Sequence, residues 1–326
     1  MRPFKFLPVI IPILATYAAA DVPRRREAAL PDVIIEASGP DVPRADCGSI
    51  VELPGGELMM ICLRAHPGGA SSTMGLFRSR DNGRSFQEES PIWQRSRGQW
   101  LQGGANDLVR LKSGRILLAF HGGTGGQGAQ KNSAGCFVSD NAGRTRRRTA
   151  ARIELPRRGA MEPSVAELED GELVMSLRTQ LDGPYLCRSR DGGETWSTPR
   201  PSGLEGPESC TCLRRIPGTN DLLLLWNNSR YMPGGDHFGE RTPLTTAVST
   251  DGGQTWRIAG NLAAEPNASY SDLGCVFSSR GEALITYRFG KPAWQNLSLR
   301  AIIVAQSWFL APEGHAGPDG PARSKN

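Results

Sequence analysis

The hydrophobic residues of this 326-residue chain fall into short runs of strand length, and most runs follow a turn that contains glycine. In one example, an apolar run at residues 173–177 follows the turn Asp170-Gly171, and a second apolar run ends just before it at Leu168. Two such runs joined by a glycine turn predict an antiparallel hairpin. Between these hairpins no segment has a convincing helical period, so the pattern predicts an all-β protein.

Two sequence signatures recur along the chain. Successive copies of one of them, the Asp-box described below, start 60, 50 and 60 residues apart. The first signature is the turn glycine with its apolar run, which occurs at residues 54–60, 113–118, 170–175, 218–226 and 281–287. The second is Ser-x-Asp-x-Gly-x-Ser/Thr-Trp/Phe, termed the Asp-box, which occurs at residues 79–86, 189–196 and 249–256 and in degraded form at 139–146. The chain is therefore built from repeated units.

A repeat of about fifty residues with several short strands is typical of a β-propeller, in which each blade is one four-stranded antiparallel sheet. Dividing the length of residues 21–326 by the unit length predicts a six-bladed β-propeller. We expect both chain ends to complete the sixth blade, with residues 33–36 and 299–310 together. The Asp-box combines turn-forming aspartate and glycine with an aromatic residue that suits packing between strands, so we expect it to be structural rather than catalytic.

The first twenty residues differ from the rest in composition. Two basic residues precede an apolar run at 7–14, and small residues precede Asp21. This arrangement is typical of a cleaved secretory signal peptide, residues 1–20; a retained membrane anchor is the alternative, although the run is short and contains two prolines. We expect a single secreted or periplasmic propeller domain at 21–310, without membrane insertion after cleavage, and a disordered tail at 311–326.

The net charge of +5 depends strongly on residues 144–158, which contain seven arginines. Such a run can bind nucleic acid or form a solvated loop. Because no aromatic residues are interleaved with the arginines and we expect the protein to be exported, we favour the solvated loop and predict no nucleic-acid partner.

Seven cysteines are scattered along the chain, and most lie inside apolar runs. Buried free thiols are therefore the expectation, although export would permit one or two disulfides. Cys210 and Cys212 lack the spacing of zinc ligands, and the four histidines form no ligand pair. We predict no metal site and no other cofactor.

Three intact Asp-boxes and a degraded one, set among six predicted blades, resemble the sialidase (neuraminidase) superfamily, and the resemblance covers about residues 30–310. The more specific segments are Met161-Glu162-Pro163, Ser176-Leu177-Arg178, residues 240–245 ahead of the last Asp-box, and Ser269-Tyr270-Ser271. The resemblance implies an exo-α-sialidase that removes a terminal sialic acid, or a related acidic sugar, from glycoconjugates.

Members of that family bind the sugar carboxylate with three arginines, use a tyrosine activated by a glutamate as the nucleophile, and use an aspartate as the acid/base. The resemblance implies that Glu162 activates Tyr270 and that Arg178 and Arg241 bind the carboxylate. The chemistry requires these residue types, because a phenol with an ordinary pKa of about 10 needs a neighbouring carboxylate to take its proton. Guanidinium groups bind carboxylates through two parallel hydrogen bonds, which lysine cannot provide.

The first arginine of the family pattern has no clear counterpart in this chain. The segment where it is expected reads Asp46-Cys47-Gly48-Ser49. Arg44 lies nearby, and Arg64 ends the following strand as Arg178 does in its own unit. Either arginine could take the missing place.

The acid/base aspartate is also missing, since residues 65–74 contain no carboxylate. His66 and Asp107 are the candidates for this role. The gap supports a second hypothesis, a catalytically weak or inactive propeller that binds glycans, and a third is a propeller without a sugar site. We expect a monomer whose partner is a sialylated or other acidic glycan.

Overall fold

The computed structural model describes residues 32–36, 39–42, 44–52, 56–65, 71–96, 108–124, 131–141 and 147–311. Over this part of the chain the regular structure is almost entirely β, apart from one short helix, α1 (Gln306–Leu310), and a 3₁₀ turn at Asp236–Phe238. The prediction of an all-β protein is therefore confirmed. No helix among these residues is long and apolar enough to cross a bilayer.

The described strands form five antiparallel sheets, four with four strands and one with five. Sheet 1 contains β2 (Arg44–Glu52), β3 (Leu58–Ala65), β4 (Ser71–Ser79) and β5 (Gln87–Ser96). Sheet 2 contains β6 (Leu108–Arg110), β7 (Ile116–Thr124), β8 (Lys131–Ser139), β9 (Arg147–Arg148) and β10 (Ile153–Glu154). Sheet 3 contains β11 (Met161–Glu167), β12 (Leu173–Arg178), β13 (Tyr185–Ser189) and β14 (Arg200–Pro201). Sheet 4 contains β15 (Cys212–Arg215), β16 (Leu222–Asn227), β17 (Leu244–Ser249) and β18 (Arg257–Ala263). Sheet 5 contains β19 (Ser269–Phe277), β20 (Glu282–Gly290), β21 (Ser298–Ala305) and β1 (Asp32–Glu36).

Neighbouring sheets meet mainly through their first strands. Strand β11 lies beside β15, β15 beside β19 and β19 beside β2, while β7 of sheet 2 also lies beside β11. Sheet 5 therefore contacts both sheet 4 and sheet 1, as a propeller-like arrangement requires. The buried apolar side chains form clusters between adjacent sheets, such as Val174, Leu186 and Leu224 between sheets 3 and 4.

The two ends of the propeller are joined in sheet 5. Strand β1 pairs with β21, and Val33 lies opposite Ala301. The predicted pairing of the chain ends is confirmed, but the prediction of six blades is wrong for the described residues. The terminal strands complete the sheet that already contains the fifth glycine hairpin, β19 with β20, so they add no further sheet. The predicted signal peptide and residues 312–326 of the predicted tail lie outside the described residues.

Each intact Asp-box is a turn held by its own side chains. In the last copy, Ser249 Oγ donates to Asp251 Oδ1 at 2.7 Å and accepts the Gly253 N–H at 2.7 Å. Asp251 also accepts hydrogen bonds from the N–H and the hydroxyl of Thr255. Desolvation raises the pKa of Asp251, but these hydrogen bonds outweigh it and lower the pKa to about 2. The same bonds recur in the other two intact copies, so each box stabilises its own loop.

The Asp-box glycines also pack against the preceding sheet. Gly193 of sheet 3 has a φ of 90°, and a Cβ at this position would lie 2.5 Å from Leu117 Cδ1 of sheet 2. Beside it, Arg115 of sheet 2 donates to the carbonyl oxygen of Gly192 at 3.1 Å. In the same way, Arg188 of sheet 3 donates to the carbonyl oxygen of Gly252 in the Asp-box of sheet 4. The repeated motif therefore connects neighbouring sheets.

The cysteines with described side chains are all buried free thiols: Cys136, Cys187, Cys210, Cys212 and Cys275. The expectation of buried thiols is confirmed for these five.

We predict that Gly193→Ala destabilises the propeller more than Gly171→Ala does. Both glycines have a positive φ, which costs alanine about 1–2 kcal/mol, but Gly171 has open space around it. At Gly193 the added methyl group also meets Leu117, which is fully buried, so we expect about 1–3 kcal/mol of additional destabilisation. Urea unfolding of both variants measures the difference. Equal losses would contradict the tight packing between sheets 2 and 3.

Candidate functional site

The site begins at a bulge in β11. Met161 lies opposite Arg178 of β12, the next registered pair is Ser164 with Ser176, and Glu162 therefore lies in the irregular segment between them. Glu162 has a φ of 39°, a left-handed conformation that is uncommon for a residue other than glycine. Bulges change the direction of a side chain and are frequent at functional sites.

The bulge places Glu162 against Arg178, as the resemblance implied for two members of one site. Arg178 is buried, and its Nη1 donates to Glu162 Oε1 at 2.8 Å. Its Nη2 donates to Glu208 Oε1 at 2.9 Å. Burial lowers the pKa of Arg178, but the charges of Glu162 and Glu208 outweigh it and raise the pKa above the ordinary value. Arg178 is therefore a fully ionised guanidinium held between two carboxylates.

Glu208 is the central residue of the site, and the sequence analysis missed it. Its side chain is only 2% exposed. Besides Arg178, it accepts hydrogen bonds from Arg158 Nη1 and, at 2.8 Å, from Gln180 Nε2. Its backbone carbonyl oxygen accepts a hydrogen bond from Arg241 Nη2 at 3.0 Å. Glu208 lies in a loop, where the sequence has no hydrophobic periodicity. The segment Glu208-Ser209-Cys210 shows only a single carboxylate ahead of a buried strand, which does not distinguish it from other loop residues.

Arg158 comes from the arginine-rich segment that we expected to form a solvated loop. Among its described arginines, Arg147, Arg148, Arg152 and Arg157 are solvent-exposed as expected, and only Arg158 is half-buried. Arg158 pairs with the buried Glu208, Arg147 pairs with Glu194 of an Asp-box, and Arg157 lies 5.6 Å from the centre of the Phe238 ring. These arginines have specific partners because the segment lies against sheet 3 and the loop that follows β16.

Arg241 is a buried cation of the site that has no ion pair with an acidic side chain among the described residues. It is 5% exposed, and within the described part of the chain its only hydrogen bond is the one from Nη2 to the backbone of Glu208. Its Nε atom is buried and has no hydrogen-bond partner in the part of the chain that the structure describes. One face of the guanidinium lies 4.6 Å from the centre of the Trp294 ring. Burial, followed by repulsion from Arg178, lowers the pKa of Arg241 to about 10, so the group is still protonated at neutral pH.

Glu162 is a strongly acidic carboxyl group in this environment. Burial raises its pKa, but the charges of Arg178 and Arg241 outweigh burial and lower the pKa to about 2. Its Oε2 atom is buried and has no hydrogen-bond partner among the described residues. A carboxylate with so low a pKa is a weak base, yet its unpartnered oxygen can accept a hydrogen bond from a ligand.

Tyr270 lies in the core rather than opposite Glu162. It is 1% exposed, and its ring packs against Tyr287 and Phe289. Its hydroxyl oxygen accepts the Glu265 N–H at 3.1 Å. Glu162 accepts a hydrogen bond from Arg178, and the activation of Tyr270 by Glu162 stays a prediction. The backbone connects the two regions, since the Tyr270 N–H donates to the Arg241 carbonyl oxygen at 2.9 Å.

The remaining predicted site residues are not placed in the cluster. His66 and Asp107 lie outside the described residues, so their acid/base role stays a prediction. Arg64 lies in β3 opposite Ala45 and Thr73. The bulge of β2 falls after the pair Cys47–Cys62, so Cys62 holds the position equivalent to Arg178, and Arg64 lies two residues further along β3.

A second bulge with an ion pair occurs in sheet 5. Asp272 has a φ of 51°, follows the pair Ser271–Arg288, and lies 2.9 Å from Arg288 Nε. Asp272 and Arg288 thus repeat the arrangement of Glu162 and Arg178. A sequence signal was available, because both arginines lie seven residues after a turn glycine, Gly171 in one unit and Gly281 in the other.

Metal binding has no support in the described part of the chain, where no group of three or more His, Cys, Asp or Glu side chains could hold an ion. The cluster instead combines three guanidinium groups with two carboxylates, a donor set suited to an anionic organic ligand.

Comparisons with known proteins agree with this architecture. Residues 37–276 match the family described as BNR repeat-like domain. The fold is similar to that of a protein of unknown function from Dyadobacter fermentans DSM 18053, with 20% identity over 79% of this chain and 75% of that chain and a TM-score of 0.53. Trypanosoma rangeli sialidase is similar with 16% identity over 81% of this chain and 45% of that chain and a TM-score of 0.54. Penicillium chrysogenum α-L-arabinanase, complexed with arabinobiose, is similar with 13% identity over 85% of this chain and 98% of that chain and a TM-score of 0.52.

At these identities the similarity to solved structures concerns the fold, and the chain spans less than half of the Trypanosoma sialidase. Among curated proteins no sequence matches this one. The sheets and the repeats define a protein of the β-propeller class. The family match covers well over half of the chain, and the protein therefore belongs to the BNR repeat-like domain family.

We predict that Glu208→Gln destabilises the protein by about 3 kcal/mol, because removing one partner of a buried ionic network leaves its cations without compensation. Glu154→Gln is the matched control, since Glu154 pairs with Arg152 at the surface and exposed pairs contribute about 0–1 kcal/mol. Urea unfolding at pH 7 tests both variants. A loss at Glu208 no larger than that at Glu154 would show that the network is not held by this carboxylate.

Proposed function

We propose that this protein binds the carboxylate of a terminal acidic sugar, such as sialic acid, at Arg241 beside Arg178. The observation that carries the proposal is the buried guanidinium of Arg241, which has no carboxylate partner among the described residues. A buried charge without a directly bonded counter-ion costs several kcal/mol; Glu162 and Asp272 offset part of this cost for Arg241, and a ligand anion would offset more.

The charge balance of the cluster supports an anionic ligand. Among the described residues of the cluster, Arg158, Arg178 and Arg241 carry three positive charges and Glu162 and Glu208 carry two negative charges, which leaves one positive charge in excess. Asp272 also acts on Arg241, but it is paired with Arg288. A ligand carboxylate would neutralise it through charge-assisted hydrogen bonds. Trp294 covers one face of the Arg241 guanidinium, which favours approach of a planar carboxylate along the edge.

The class of sugar follows from this charge. The similar folds include a sialidase and an arabinanase complexed with arabinobiose, so the fold alone does not distinguish acidic from neutral sugars. The excess positive charge favours the acidic sugar, and the unpartnered Oε2 of Glu162 offers an acceptor for a hydroxyl group of the same ligand. We place this activity outside the cytoplasm, in a monomer that needs no cofactor.

We predict that N-acetylneuraminic acid binds to the purified protein and that arabinobiose does not. Arg241→Lys keeps the charge but loses the planar donor edge, so we expect affinity to fall by about tenfold to a hundredfold, in line with about 1.5–3 kcal/mol for a charged hydrogen bond. Arg152→Lys, at an exposed site away from the cluster, is the matched control and should bind as the wild type does. Isothermal titration calorimetry gives the affinities. Equal binding of arabinobiose, or no effect of Arg241→Lys, would contradict the proposal.

A second candidate function is hydrolysis of the bound sugar, as in an exo-α-sialidase. It is favoured by the structural similarity to a sialidase and by the position of Glu162 within the arginine cluster. The reaction would use Tyr270 as nucleophile and His66 or Asp107 as acid. It requires the Tyr270 hydroxyl to exchange its contact with Glu265 for one with the substrate.

We expect the wild-type protein, if it is a sialidase, to release the fluorophore from a fluorogenic sialoside between pH 4 and 8. Tyr270→Phe removes only the hydroxyl group and keeps the packing against Tyr287, so it should abolish turnover and leave sugar binding intact. Absence of turnover in a folded wild-type protein that binds the sugar would leave the binding function alone. Full turnover in Tyr270→Phe would exclude Tyr270 as the nucleophile.

A further inference from the structure

His121 connects sheet 2 to the candidate site. It lies in β7 opposite Ala134 of β8, and its ring reaches across to the bulge of β11 in sheet 3. There Nδ1 accepts the Glu162 N–H at 3.2 Å. A backbone N–H can only donate, so Nδ1 carries no proton and the neutral ring is protonated at Nε2. The contact therefore requires the neutral form of His121.

The bulge of β11 needs such a partner. The left-handed φ of Glu162 costs about 1–2 kcal/mol relative to an ordinary strand conformation, and the segment between the pairs of Met161 and Ser164 leaves the regular ladder. His121 satisfies the N–H of the residue with this conformation. The side chain of the same residue, Glu162, is the one that contacts Arg178. A partner that holds the Glu162 backbone therefore also sets the position of its carboxylate.

Resting on the function proposed above, we propose that neutral His121 is a positioning residue, which holds the Glu162 bulge in the geometry that binds the acidic sugar, and that protonation of His121 releases this bulge. A protonated imidazole has no acceptor for the Glu162 N–H. It also brings a further positive charge towards Arg178 and Arg158, which are already close to the ring. Acidification thus weakens the site.

The charged groups around His121 determine the direction of this pH dependence. Burial, first of all, lowers the pKa of His121 below the ordinary value of 6.5, and Arg178 and Arg158 lower it further, while Glu162 opposes them. Because the pKa is lower in the folded state than in the unfolded state, the contact is intact above about pH 6.5 and is lost as the pH falls through the folded-state value. Glu162 does not titrate in this range, since its pKa is about 2.

Two substitutions distinguish the role of His121 as a hydrogen-bond acceptor for the Glu162 N–H from the effect of its protonation. His121→Asn places a side-chain oxygen near the position of Nδ1, so it can accept the Glu162 N–H but cannot become protonated. His121→Leu removes the acceptor. The probe is N-acetylneuraminic acid, titrated by calorimetry at pH 7.5 and pH 5.

We expect the wild-type affinity to fall below pH 7.5 in step with the fraction of His121 that is protonated, and to be about tenfold lower, the effect of losing about 1.4 kcal/mol, once nine-tenths of the rings are protonated. The affinity of His121→Asn should change little over the same range, and that of His121→Leu should already be low at pH 7.5. An equal fall in wild type and His121→Asn, or tighter binding of the wild type at pH 5, would overturn the proposal.

A second measurement keeps this test independent of the ligand. Amide hydrogen exchange, corrected for the intrinsic pH dependence of the rate, should show a Glu162 N–H that is protected at pH 7.5 and loses protection at pH 5 in the wild type but not in His121→Asn. If no sugar binds at any pH, the proposed function fails, and the exchange result alone decides the role of His121. Unchanged wild-type protection at pH 5 would overturn that role.

Discussion

The buried carboxylate of Glu208 is the interaction on which the site depends. A charge that is only 2% exposed is stable only with close compensation, and here Arg158 and Arg178 supply it while Gln180 occupies the second oxygen. The Glu208 backbone at the same time holds Arg241 through its carbonyl oxygen. One residue thus fixes cations that come from three separate parts of the chain.

The repeated units place equivalent positions on equivalent strands, and the residues that occupy these positions differ from unit to unit and determine the charge at each one. Sheets 3 and 5 both contain a bulge in the first strand and an arginine on the second strand that pairs with the bulge acid, Glu162 with Arg178 and Asp272 with Arg288. Sheet 1 has a bulge at the corresponding place but Cys62 at the arginine position. A fold of similar units therefore presents several equivalent positions, and the cluster around Glu208 combines one of them with an additional buried cation, Arg241.

Part of the site could be predicted because it follows local rules. Glu162 and Arg178 lie on two strands joined by one glycine hairpin, so antiparallel pairing alone brings them together. Tyr270 could not be assigned in this way, because its serine neighbours suggest an exposed position whereas all three residues are buried in β19. Glu208 lies in a loop without periodicity, and its importance appears only when arginines from other segments surround it.

The sequence by itself determined the strand content, the glycine hairpins and the Asp-box turns, because hydrophobic alternation and turn chemistry act over a few residues. The pairing of the chain ends followed from the repeat, since a closed ring of units brings its first and last strands together. The tertiary structure alone decided the number of sheets and the contacts between them. His121 reaches Glu162 across 41 residues of chain, and Arg241 reaches Glu208 across 33. Such contacts depend on how the sheets pack side by side, and no local pattern encodes which side chains then face each other.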